Sequence, residues 1–189
     1  MAIADPEFIQ RLPKAELHLH IEGSLEPELM LSLAKKNGIK LPYETLADIE
    51  AAYHFDDLQS FLDLYYMGAG VLIHEQDFYD LMWCYMQRCR EENIVHTEMM
   101  FDPQTHTDRG IGFETVLDGF CRAMNDAKDQ WGQSAELIMC FLRHLSEQEA
   151  IATLESALPY KDKIKAVGLD SAEVGHPPEK FARVFKLAA

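Results

Sequence analysis

The run PKAELHLHIEGSLEP, from Pro13 to Pro27, decides how the rest of the chain is read. Within it, ELHLHI (Glu16 to Ile21) has the apolar alternation of a short strand, and His18 and His20 lie two residues apart on it. Successive strand side chains point to opposite faces, so the two imidazoles share one face. Two neutral imidazoles on a rigid strand form the beginning of a transition-metal site. Gly23 then frees the backbone to turn, and Ser24 with Pro27 supplies helix-start chemistry. A metal-bearing strand end running into a turn and a helix is the way a βα barrel opens its site.

Outward from this run, strand and helix signals alternate. A helix from about Pro27 carries Leu29, Met30 and Leu33 at helical spacing and stops at Asn37-Gly38. Helical periodicity returns from Asp56 to Tyr66, with Asp56 or Asp57 as its cap, and from Gln76 to Arg90. Three more strand–helix units follow. Ile94 to Phe101, Glu136 to Leu142 and Ile164 to Leu169 read as strands. Phe113 to Trp131, Glu147 to Leu158 (capped by Ser146) and the chain after Pro177-Pro178 read as helices.

Short apolar strands separated by helices imply parallel pairing and an α/β architecture. GxGxxG and GxxxxGK[ST] loops are absent from the sequence, which weakens the open nucleotide-binding sheet. Polar residues gather instead at strand C-terminal ends: His18 and His20, Asp102, Arg143 and His144, and Asp170 with Glu173. A barrel with its site on that face requires such clustering. A complete TIM (β/α)8 barrel takes about 250 residues, whereas these 189 residues hold four βα units. The expectation is a half-barrel, residues 1–189 forming the N-terminal portion of a (β/α) barrel.

Composition narrows the partners. With 17 Lys and Arg against 32 Asp and Glu, the net charge of −15 opposes binding to nucleic acid, whose phosphates need clustered bases. No apolar run approaches the ~18–20 residues of a membrane span, and no basic-then-apolar leader is recognisable. Cys84, Cys89, Cys121 and Cys140 form no CxxC pair and read as buried free thiols of a reducing compartment. The expected location is therefore cytoplasmic.

Three separated segments, HLHIEGSLEPE (His18 to Glu28), FDPQTH (Phe101 to His106) and GLDSAEVG (Gly168 to Gly175), resemble the adenosine/adenine deaminase family of zinc-dependent barrel hydrolases. The resemblance implies that His18 and His20 are two ligands of one Zn²⁺. It places Glu22 where adenosine deaminases have an Asp that contacts the sugar, and Glu173 where they have a Gly that touches the purine. Both departures are similar to the adenine branch, which acts on the free base, and imply substrate-binding roles for Glu22 and Glu173. The family's third zinc His, its HAGE-like proton donor and its later His and Asp pair match no residue here. By the resemblance, these Glu, His and Asp residues are expected beyond Ala189, so no catalytic residue is assigned.

The implied reaction is hydrolysis of adenine to hypoxanthine and ammonia, in purine salvage, with this chain alone inactive. Adenosine as substrate, another His-x-His metallohydrolase, and a non-catalytic half-barrel that assembles with a complementary half are the alternatives. Two open sheet edges point to self-association. Among the remaining residues, Asp102 before Pro103 reads as a turn former. Met82, Met86, Met99 and Met100 read as core, and His54, His74, His106 and His176 as surface residues.

Overall fold

The computed structural model describes residues 5–189. Strands β1 (Lys14–His20), β2 (Ile94–Phe101), β3 (Ser134–Leu142) and β4 (Ala166–Asp170) pair in parallel, side by side in chain order. The helices are α1 (Pro6–Arg11), α2 (Pro27–Asn37), α3 (Leu46–Ala52), α4 (Leu58–Ala69), α5 (Glu75–Glu91), α6 (Pro103–Thr107), α7 (Phe113–Trp131), α8 (Glu147–Ala157) and α9 (Ala182–Ala188). Strand order 1-2-3-4 means that every crossover steps the same way around the sheet, as in a barrel, with no reversal of a doubly wound kind. The molecule is a half-barrel.

Burial follows from that geometry. On the helix-covered face, Met99, Phe101, Leu137, Met139 and Phe141 are fully buried against Phe78, Met82 and Met86 of α5 and Leu117 and Phe120 of α7. The opposite, concave face stays open: Glu98, Met100 and Ile138 are half-buried and His18 is exposed. Met100 therefore belongs to the concave wall, while Met82, Met86 and Met99 are core as expected. Helices α5 and α7 approach so closely that a Cβ on Gly119 would lie 2.5 Å from the Glu75 carbonyl oxygen.

Local signals explain most boundaries. Gly38 ends α2 in the left-handed conformation at φ 66°, a backbone that side chains other than glycine resist. Thr45, Asp57 and Ser146 cap α3, α4 and α8 by accepting from backbone N–H groups three residues on. β1 begins two residues earlier than its apolar pattern suggested, because Lys14 and Ala15 already pair with β2. β4 is shifted to Ala166–Asp170. Ser24 does not cap α2. Its hydroxyl donates to the Ile21 carbonyl within a 3₁₀ turn over Ile21–Ser24, and Pro27 starts the helix. At the other end, α9 closes on Ala189, whose N–H donates to the Phe185 carbonyl.

Candidate active site

Register brings the strand ends together. His20 pairs with Met100, two residues before Asp102, and Leu142 pairs with Asp170. The side chains there line a cavity of about 610 Å³, the volume of a small-molecule site. Its polar wall includes His18, His20, Asp102, Arg143 and Asp170, and Leu58, Phe61, Leu62 and Tyr65 of α4 form an apolar wall.

His18 and His20 stand side by side, with ring centroids 5.7 Å apart. Two imidazoles sharing one tetrahedral zinc, at about 2.0–2.1 Å per nitrogen, separate their centroids by a distance on the order of 5 Å. His20 Nδ1 lies 3.2 Å from Asp170 Oδ2. That hydrogen bond raises the imidazole above its ordinary value against the opposing pull of burial, and the charges of Asp170 and Glu22 add to it. One potential ligand atom from each of His20, Asp102, Cys140 and Asp170 falls within 4.8 Å of the others.

Asp102 is no simple turn former. It is fully buried, and its carboxyl group is pushed well above the usual carboxylate range, first by burial, then by the charge of Glu22, and then by the close approach and charge of the Asp170 carboxyl group. Asp102 Oδ1 and Asp170 Oδ1 are both buried without a hydrogen-bond partner among the described residues. Acidic oxygens left unpaired beside the His20 imidazole fit a divalent cation, which would supply the missing positive charge, and His18 stands outside this close group. Cys140 faces the same space, and burial pushes its thiol up, so it is a neutral thiol. Cys84 and Cys121 are half-buried, Cys89 and Cys140 buried, and all four are free.

Glu22 is placed differently from Glu173. It is 2% exposed, belongs to the turn after β1, and lines a smaller cavity that shares Gly23, Phe61 and Tyr65 with the large one. Its Oε1 accepts from the Asp102 backbone N–H at 3.0 Å and meets His106 Nε2 at 3.1 Å. Tyr65 OH is 3.2 Å from Glu22 Oε2 and 2.9 Å from Asp102 Oδ2. A phenol has one proton to give, so two carboxyl groups share it, and burial and both acids hold Tyr65 well above an ordinary tyrosine. Glu173 sits at the cavity rim, exposed, with Oε1 2.7 Å from Arg143. Arg143 also donates to the His176 carbonyl. From Glu173 onward to Ala189, the described residues add no second glutamate to the cavity wall.

His106 is a correction: it is fully buried, edge-on to Phe78. His54 and His74 are exposed and His176 is half-buried. Arg109 NH2 donates to His106 Nδ1 at 2.8 Å, since a guanidinium cannot accept. The ring proton is then on Nε2, which donates to Glu22. The Arg109 guanidinium is fixed in turn by the Thr105 carbonyl of α6 and by the Ala69, Gly70 and Leu72 carbonyls at and just after the C-terminal end of α4. No local sequence signal marks His106, because the groups that bury it, Phe78 and Glu22, are distant in the chain.

A half-barrel with metal-capable side chains at its C-terminal mouth defines the class: one half of an amidohydrolase-type TIM barrel. The adenosine deaminase family profile matches residues 13–189, from Pro13 through Ala189, and the chain belongs to that family. An adenine deaminase of Acinetobacter baylyi is 64% identical over 182 residues, covering 96% of this chain and 55% of the relative. The crystal structure of an adenine deaminase from Arthrobacter aurescens superposes with a TM-score of 0.90 at 48% identity, covering 93% of this chain and 54% of that one. A B. ambifaria amidohydrolase solved with bound Zn superposes at 0.88 with 25% identity, covering all of this chain and 52% of that one. The chain thus spans about half the length of the relatives it matches.

Proposed function

We propose that this chain forms one half of a zinc-dependent purine-base deaminase that converts adenine and water to hypoxanthine and ammonia, in purine salvage. The observation that carries the reading is the side-by-side placement of His18 and His20 at the mouth of the 610 Å³ cavity. The relatives named adenine deaminase, at 60–64% identity, favour the free base over its nucleoside.

His18 and His20 would hold the metal, and Asp102 and Asp170 lie close enough to add their charge to its surroundings. Held by these residues, zinc would supply Lewis-acid chemistry that activates water near neutral pH. The apolar wall of Leu58, Phe61 and Leu62 suits the face of a planar base and keeps bulk water away. Arg143 and Glu173 offer donors and acceptors to the ring edge from the rim. Glu22, assigned here with Glu173 to substrate binding, also fixes Tyr65 and the Asp102 backbone.

The catalytic acid and the remaining metal ligands match no residue up to Ala189, so the chain alone deaminates adenine at no useful rate. Four free cysteines and the acidic composition accord with a reducing, cytoplasmic location. The test is co-expression with the complementary half of the Acinetobacter relative, followed by assay with adenine and adenosine. Hypoxanthine should form from adenine only in the reconstituted pair, and His20→Ala should abolish it. Turnover of adenosine in preference to adenine, or activity indifferent to His20→Ala, would overturn the reading.

A further inference from the structure

We propose that Asp170 is the positioning carboxylate that fixes the tautomer and rotation of His20 for metal binding. The inference rests on the metal reading of His18 and His20 above. Asp170 itself need not touch the ion.

An ionised carboxylate only accepts, so at 3.2 Å the contact between Asp170 Oδ2 and His20 Nδ1 requires the ring proton on Nδ1. Nε2 then carries its lone pair in the ring plane on the far side from Asp170. A metal-binding imidazole ordinarily has this arrangement: one nitrogen on the ion, the other donating to a carboxylate that orients the ring. His18 is exposed and has no hydrogen-bond partner among the described residues, so the two rings are unequal: His20 is set and His18 is adjustable.

The fold supports the contact from several sides. Asp170 is the last residue of β4, its carbonyl accepting from the Arg143 N–H after β3, and its side chain is 11% exposed. Two residues earlier, Gly168 leaves room for Cys140: a Cβ there would be 2.6 Å from the Cys140 sulfur. The concave wall is therefore drawn in next to Asp170. Immediately after it, Ser171 holds a left-handed backbone at φ 75°, rare for a residue with a side chain, and its Oγ is pinned by Tyr66 and His144. The strained turn and its two side-chain ties lock the end of β4 in place beneath His20.

Two measurements on the 189-residue chain test this. Without metal, long-range ¹H–¹⁵N correlations should show His20 as the Nδ1–H tautomer, and as a tautomer mixture in Asp170→Ala. By isothermal titration, zinc should bind the wild-type chain with a Kd about 10–100-fold tighter than Asp170→Ala, as for loss of other orienting partners. Asp170→Asn keeps an acceptor oxygen and should recover part of both signals, which separates orientation from loss of folding. Equal zinc affinity in wild type and both Asp170 variants, or a wild-type Nε2–H tautomer, overturns the inference while the metal reading stands. Failure of the wild-type chain to bind zinc overturns both.

Discussion

His106 shows what a single residue contributes in a buried polar chain. Arg109 donates to its Nδ1, it donates from Nε2 to Glu22, and Glu22 receives Tyr65 and the Asp102 N–H. Each link is fixed by which partner has a proton to give. Truncation to His106→Ala leaves a buried carboxylate short of a donor and should cost about 2–3 kcal/mol in urea unfolding. Arg109→Met should cost less, about 1 kcal/mol, because the His106–Glu22 contact survives. Equal stability of wild type and His106→Ala would show the contact to be idle. In the sequence His106 looks like any histidine in a polar loop. Burial there comes from Phe78 and Glu22, 28 and 84 positions away, and no local pattern encodes such distant packing. His18 and His20 are legible because strand alternation alone sets their relation.

At the scale of elements, the junction of α2, α4 and α5 turns on Asp77. Burial by itself would push this carboxyl group up. The donors that surround it, the His74 and Ile73 N–H groups, Lys36 at 2.6 Å and Asn37 at 2.7 Å, outweigh that and hold it below its ordinary 3.8. A folded value below the unfolded one contributes stability that is present above pH ~4 and is lost as pH falls toward the folded value. Asp77→Asn should therefore cost about 2 kcal/mol at neutral pH, with the gap to wild type narrowing under acid. A gap independent of pH would contradict this. Gly119→Val is the packing counterpart: α5 and α7 cannot separate without exposing core, and the substitution should destabilise by about 1–3 kcal/mol in thermal or urea unfolding. A neutral outcome would mean that the two helices slide freely.

Element legibility divides along the same line. β2 and α7 match their sequence boundaries residue for residue, since period-2 and period-3.6 patterns persist over 8 and 19 positions. Helices α1, α3 and α6, of 6, 7 and 5 residues, offer too few turns for such a pattern to stand out. Helices that short do not form on propensity alone and are held by the packing around them.

For the whole molecule, the defining property is an open concave face. Among the described residues β1 and β4 end the sheet without further partners, and side chains such as Leu17, 56% exposed, are left in solvent. Unpaired strand edges invite another chain, so the isolated protein should associate with itself as concentration rises. Sedimentation velocity over a broad concentration range checks this: a rising average mass is expected, and a constant monomer mass would refute it.

We propose that the two histidines closing β1 grip a divalent cation at the cavity mouth. Anomalous diffraction at the zinc edge from zinc-soaked crystals addresses it directly. The account predicts one strong peak bonded to both His18 and His20. A peak bonded to neither ring, or one abolished by substituting Cys140 but not His20, would contradict it.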